Sequence, residues 1–90
     1  MYRIAIVDDD YMVRESTKAV IERNFKEENF QVECFSTFSQ LQSELSQELF
    51  TVYILDIELP DGNGLELAKE IRKIHERTWK SYARQVKMVV

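Results

Sequence analysis

Glycine, proline and cysteine are scarce in this chain. Its 90 residues include two glycines, one proline and one cysteine. This scarcity excludes collagen-like and low-complexity sequences and a turn-rich all-β fold, and it favours long helices with brief connections. The glycines and the proline all fall in one stretch, at Pro60, Gly62 and Gly64. A hydrophobic fraction of 44% argues against disorder, and the length is that of one small domain.

Long hydrophobic runs are missing too. No stretch of about 18 apolar residues exists, so we expect no membrane span. The N-terminal apolar run is short and breaks into three aspartates, which is unlike a signal peptide. The single Cys34 cannot form an internal disulfide, and we expect it to be a buried small hydrophobe. A lone thiol and no leader favour a reducing compartment, the cytoplasm.

Apolar strands alternate with amphipathic helices along the chain. Short apolar runs predict buried strands at 3–7 and 52–55, an edge strand at 30–35 and a fourth strand at 86–90. Helical spacing predicts one helix after Asp10 as its N-cap, a second opening at Ser36 and Thr37, and a third from Gly64 to about Thr78. This α/β alternation predicts a doubly wound parallel sheet with helices on both faces.

Each predicted helix has an apolar face. The inward residues are Val13, Thr17, Val20, Ile21 and Phe25 in the first helix, Phe38, Leu41, Leu45 and Leu49 in the second, and Leu67, Ile71 and Ile74 in the third. We interpret His75, late in the third helix, as a surface histidine. Tyr53 lies inside a buried strand, so its hydroxyl should find a hydrogen-bond partner.

Carboxylates follow two of the buried strands. Asp8 and Asp9 end the first strand and Asp56 ends the third, and the carboxyl ends of neighbouring parallel strands meet at one edge of the sheet. Three negative charges so near to one another repel unless a cation binds between them. Oxygen ligands of this kind suit Mg²⁺. A carboxylate beside the metal could act as nucleophile and accept a phosphoryl group. Helix capping explains Asp10 well but explains this trio poorly.

The sequence at this point resembles the receiver domains of two-component response regulators. The resemblance rests on IVDDD at 6–10 and on ILDIELPDGNGLEL at 54–67, and it covers residues 2 to about 75. It implies a flavodoxin-like fold with Asp56 as the phospho-acceptor. It also implies that Mg²⁺ is held by Asp8, Asp9, Asp56 and the backbone carbonyl of Glu58. Pro60 and Gly64 correspond to loop-shaping residues, and the second motif is closest to regulators that carry a LytTR-type DNA-binding domain.

The chain departs from that family pattern after about residue 75. The family carries a Ser or Thr after strand four and a Lys after strand five, and these 90 residues contain neither at a matching position. We therefore predict a single receiver domain over 1–90, truncated at its C-terminus. Its strand order would be 2-1-3(-4), strand five would be missing, and an atypical tail would occupy 76–90.

These observations lead to one main function and two alternatives. The main one is a phospho-accepting domain that takes a phosphoryl group from a histidine kinase with Mg²⁺, which is not a conventional enzyme. DNA would be contacted only through an effector domain outside this sequence. The first alternative is a truncated receiver that serves as a structural or oligomerisation module, and the second is a metal-dependent phosphohydrolase. An incomplete sheet edge and an apolar tail also predict self-association.

Overall fold

Strands and helices alternate in the computed structural model, which describes residues 2–25, 29–78 and 87–89. In chain order the elements are β1 (Tyr2–Val7), α1 (Tyr11–Asn24), β2 (Phe30–Phe35), α2 (Phe38–Leu45), β3 (Val52–Leu55), β4 (Glu58–Leu59), β5 (Gly62–Asn63), α3 (Gly64–Thr78) and β6 (Lys87–Val89). None of these helices is long and apolar enough to cross a membrane.

The main sheet has four parallel strands in the order β2-β1-β3-β6. This confirms the predicted parallel sheet, with β2 at one edge and β6 as the predicted fourth strand. At the centre, Val7 of β1 lies beside Phe35 on one side and Leu55 on the other. The predicted fourth strand began at Val86 and ended at Val90, and both of these residues lie outside the described part of the chain.

The hydrophobic core lies on the α2 and α3 face of the sheet. Alternate residues of a strand point to opposite faces, so Ala5 and Val7 share a face, as do Tyr53 and Leu55. They pack with two buried side chains from each helix: Leu41, Leu45, Leu67 and Ile71. The inward faces predicted for α2 and α3 are therefore correct in their central residues. Phe38 and Ile74 are half-buried at the margin of this core. Leu49 is half-buried there too, but it lies beyond the end of α2 and not within the helix as predicted.

Helix α1 covers the opposite face loosely, which corrects the prediction that its apolar stripe is buried. Val13, Val20 and Phe25 are 44%, 47% and 53% exposed, and α1 contains no buried residue. Between α1 and the sheet lies an open apolar cavity of about 310 Å³. Its lining consists of Tyr2, Ile4, Ile21, Phe25, Phe30, Val52 and Ile54. Helices thus lie on both faces of a doubly wound sheet, but only one face is densely packed.

His75 is fully buried, so the interpretation as a surface histidine is wrong. Its Nε2 lies 2.8 Å from the Tyr53 hydroxyl oxygen, and that oxygen accepts a hydrogen bond from the Phe50 backbone N–H. The prediction that Tyr53 finds a partner is thereby confirmed. The correct position was recoverable from the sequence, because His75 follows Leu67 and Ile71 at intervals of four residues along one helix face.

Arg3, near the start of β1, joins the sheet to residues 48–50, which follow α2. Its guanidinium forms ion pairs with Glu33 of β2 and with Glu48, the latter at 2.6 Å, and donates to the Leu49 carbonyl. It also lies 4.2 Å from the centroid of the Phe50 ring. A charge this enclosed needs partners on several sides, and these groups provide them.

Two further expectations concern Cys34 and the C-terminal tail. The thiol of Cys34 is free but half-buried rather than fully buried, and burial raises its pKa. Self-association was expected to use the incomplete sheet edge or the C-terminal tail, 76–90. Strand β6 does lie at the edge, but most of the preceding tail is outside the described residues, so self-association stays a prediction.

The buried His75 makes a testable prediction about stability and pH. Burial, with a further contribution from the Arg72 charge, lowers the pKa of His75 below its ordinary 6.5. Between pH 6.5 and the lower folded-state pKa, His75 is protonated in the unfolded chain but neutral in the folded chain. The free energy of unfolding therefore decreases as the pH falls through this range. Urea denaturation at about pH 7.5 and about pH 5.5 measures this loss.

His75→Leu is the matched control, because the chain contains a single histidine. The variant should lose less stability than the wild type between the two pH values, whatever its absolute stability. Equal losses in both proteins would show that His75 is not the group responsible.

Candidate functional site

The three aspartates singled out in the sequence lie at the carboxyl edge of the main sheet. The Asp8 backbone N–H donates to the Phe35 carbonyl at 3.0 Å, and the Asp56 N–H donates to the Val7 carbonyl at 2.8 Å. These bonds extend the strand ladders by one residue and hold both aspartates beside the ends of their neighbours. The backbone positions of Asp8 and Asp56 are therefore set by the sheet rather than by a flexible loop.

The side chains of Asp8, Asp9 and Asp56 form one acidic cluster. One carboxylate oxygen from each lies within 4.8 Å of the others, with Asp8 and Asp56 half-buried and Asp9 exposed. Like charges at this spacing repel, and a hard divalent cation bound between them would relieve the repulsion. The donors are all oxygen atoms, and water can enter from the exposed side, which fits Mg²⁺.

Helix α1 begins directly beside this acidic cluster. Asp10 is its N-cap, as predicted, and accepts hydrogen bonds from the Met12 and Val13 backbone N–H groups at 2.9 and 3.3 Å. The Asp10 N–H in turn donates to Asp8 Oδ1 at 2.9 Å, which fixes one carboxylate oxygen of Asp8. Arg14, one turn into the helix, donates to the Asp8 carbonyl at 2.6 Å. The arginine was not anticipated from the sequence.

The segment after Asp56 is a short hairpin where the sequence predicted a loop. Strands β4 and β5 pair antiparallel, Glu58 with Asn63 and Leu59 with Gly62. Leu59 is buried and anchors the hairpin on the core. Pro60, whose ring fixes φ, and Asp61 form its two-residue tip. Glu58 thus lies two residues beyond Asp56, at the first position of an ordered hairpin.

Gly64 closes the hairpin against the backbone of Asp56. Its N–H donates to the Ile57 carbonyl at 2.7 Å. A Cβ at this position would lie 2.0 Å from the Asp56 carbonyl oxygen, closer than any side-chain carbon can approach. Asn63 then caps α3, because its Oδ1 accepts the Leu65 N–H at 2.7 Å. Gly64 is required for the close approach, as the motif suggested.

Asp61 reaches across to the N-terminus of α2. Its carboxylate accepts the Phe38 N–H at 2.8 Å, the Ser39 N–H at 3.1 Å and the Ser39 hydroxyl at 2.9 Å. These hydrogen bonds, the Phe38 one above all, lower the pKa of the Asp61 carboxyl. The contact joins residues more than 20 positions apart, and no local sequence signal indicates it.

Comparisons of this chain with known proteins agree on one family. The family model described as "Response regulator receiver domain" matches residues 4–81. Among curated proteins, the chain is similar to the transcriptional regulatory protein CrdR of Helicobacter pylori, with 33% identity over 70 residues. That match covers 78% of this chain and 31% of CrdR, so the chain spans about a third of the length of this relative.

Solved structures agree with this comparison. Response regulator protein TrrA from Thermotoga maritima, in complex with Mg²⁺ and BeF, has a TM-score of 0.65 at 27% identity over 100% of this chain and 86% of that one. A complex of histidine kinase ThkA with TrrA matches with a TM-score of 0.64 at 33% identity, covering 81% of this chain and 60% of that chain. The likeness confirms the flavodoxin-like receiver fold that was expected.

The two glycines offer a matched pair of substitutions. Gly64→Ala places a methyl group against backbone that cannot move aside, so we expect it to destabilise the fold by about 2 kcal/mol or more. Gly62→Ala brings its Cβ to 3.0 Å from Cδ2 of the Phe38 ring, which can shift, so its effect should be smaller. Urea denaturation of both variants provides the measurement. Equal effects would contradict the close approach at Gly64.

Proposed function

The chain belongs to the family of response regulator receiver domains, and from that premise we propose that it accepts a phosphoryl group on Asp56 in a Mg²⁺-dependent reaction. The acidic cluster carries the proposal, since three carboxylate oxygens from Asp8, Asp9 and Asp56 lie within 4.8 Å of one another at the carboxyl edge of the sheet. We assign Asp8, Asp9, Asp56 and the backbone carbonyl of Glu58 as the metal ligands. Bound there, Mg²⁺ would supply neutralising charge for phosphoryl transfer.

Asp56 is the member of the cluster best suited to be the nucleophile. It is half-buried, its backbone is held by the hydrogen bond to Val7, and the hairpin begins two residues after it. Asp8 is also half-buried and held by the sheet, but its Oδ1 already accepts the Asp10 N–H. A carboxylate oxygen of Asp56 would attack phosphorus as the N–P bond of a phosphohistidine breaks. The electron pair of that bond returns to the imidazole of the donor, and the phosphoryl group remains on Asp56 as an acyl phosphate.

We propose a histidine kinase as the phosphoryl donor. The complex of ThkA with TrrA supports this, because it joins a kinase of that type to a structural relative of this chain. The likeness to TrrA with Mg²⁺ and BeF supports the metal in the same way. The free thiol of Cys34 is consistent with a reducing compartment, which we propose is the cytoplasm. DNA contact, including any through a LytTR-type domain, would belong to sequence outside these residues.

Asp56→Asn should abolish acyl phosphate formation. The variant is incubated with Mg²⁺ and acetyl phosphate, and the phosphoryl group is detected by intact mass. Asp10→Asn is the control, since it removes the same charge nearby while asparagine remains a good N-cap. The control should be labelled like the wild type. Labelling of Asp56→Asn at wild-type stoichiometry would contradict the assignment of the acceptor.

Mg²⁺ should stabilise the fold through the acidic cluster. An ion that binds only the folded state raises the free energy of unfolding, by about 1.4 kcal/mol at ten times its Kd. We expect this gain in the wild type and in Asp10→Asn, and its loss in Asp9→Asn, measured by urea denaturation with and without Mg²⁺. If Mg²⁺ does not raise the free energy of unfolding of the wild type, and Mg²⁺ with beryllofluoride shifts no amide resonance near Asp56, the site is vestigial. The structural or oligomerisation module is then the better account.

A further inference from the structure

We propose that Asp61 is a positioning residue that couples the Mg²⁺ site to helix α2. This inference rests on the proposed function of the acidic cluster and extends it to a second element of the fold. The coupling unit is the hairpin Glu58–Asn63. Glu58 starts this hairpin two residues after Asp56, and Asp61 at its tip is bonded to the first residues of α2.

The bonds at the hairpin tip use both oxygens of the Asp61 carboxylate. Asp61 Oδ1 accepts the Phe38 N–H, and Oδ2 accepts both the N–H and the hydroxyl of Ser39. Both carboxylate oxygens are therefore engaged by donors of a single helix end, which fixes the orientation of the carboxylate as well as its position. Hydrogen bonds to a charged acceptor are stronger than neutral ones, and the α2 macrodipole favours a negative charge at this end.

The same hairpin meets α2 through an apolar contact. The Phe38 ring lies against Gly62, close enough that an added Cβ would be 3.0 Å from its nearest ring carbon. At its other end the hairpin is held by the Gly64 N–H bond to Ile57 and by the tight packing of Gly64 on the Asp56 carbonyl. Few residues separate these two anchored ends, so a displacement at Glu58 is transmitted to Asp61.

Helix α2 also has a cap within its own segment. Thr37 Oγ1 accepts the Gln40 N–H at 3.2 Å, and Gln40 Oε1 accepts the Ser36 N–H at 2.8 Å. This local cap stabilises α2 from within its own segment. The Asp61 bonds instead tie α2 to the hairpin. Because the Thr37 hydroxyl lies 3.4 Å from Ser39 Oγ, a donor to Asp61, Thr37 is not a clean control. Gln40 Oε1 binds Ser36, so Gln40 and Asp61 separate helix stability from coupling to the site.

Asp61→Ala and Gln40→Ala are the matched test pair. Mg²⁺ is titrated into each folded variant, and the amide resonances of Asp9 and Gly64 report binding. Asp61→Ala should raise the Kd for Mg²⁺ at least about fivefold, the low end of the change in affinity that coupled sites typically show. Gln40→Ala should leave the Kd unchanged although it removes the bond to Ser36 that supports the helix cap. Asp61→Asn keeps an acceptor oxygen, and we expect an intermediate Kd.

Coupling is reciprocal, so a second readout comes from α2 itself. In the wild type, Mg²⁺ with beryllofluoride should shift the amide resonances of Phe38 and Ser39, and in Asp61→Ala these two should no longer respond. The inference is overturned, with the proposed function intact, if the wild type binds Mg²⁺ and Asp61→Ala binds it equally well. An equal weakening of Mg²⁺ binding by Gln40→Ala overturns it too. A wild type that binds no Mg²⁺ overturns both.

Discussion

Val7 and Leu55 lie side by side in β1 and β3, and this parallel register decides where the carboxylates meet. The Asp56 N–H bond to the Val7 carbonyl extends the pairing by one residue, and Asp8 is the next residue of the neighbouring strand. A slip of one residue would turn alternate side chains to the other face and move the core residues Tyr53 and Leu55 out of the core. The hydrophobic core and the acidic cluster therefore depend on one register, and neither can shift without the other.

Much of this arrangement could be predicted from local sequence. The strands 30–35 and 52–55, the N-cap Asp10 and the helix from Gly64 to Thr78 follow from periodicity and capping, which act over a few residues. The meeting of Asp8, Asp9 and Asp56 follows from a general rule of parallel sheets, once the strands are recognised. Local periodicity also showed the apolar stripe of α1, but it could not show how much of that stripe the rest of the fold covers.

The features that escaped prediction are polar and long-range. His75 was assigned to the surface because its side chain is polar, yet Tyr53 provides a hydrogen-bond partner that makes burial favourable. Asp61 and Arg3 engage groups more than 20 residues away in the sequence. Such contacts form only after tertiary structure has placed both partners. The same limit applies to the β4–β5 hairpin, which is too short to produce a strand pattern.

Strand β1 occupies the middle of the sheet although it comes first in this sequence. Its partners are β2 on one side and β3 on the other, and β3 ends only at Leu55. During synthesis the edge of β1 that pairs with β3 must therefore stay unpaired until more than half of these residues have been made. Parallel pairing of this kind closes long chain loops and is intrinsically slow. Two aspartates follow β1 and the third follows β3, so the acidic cluster cannot form on a growing chain until both strands have been made and paired.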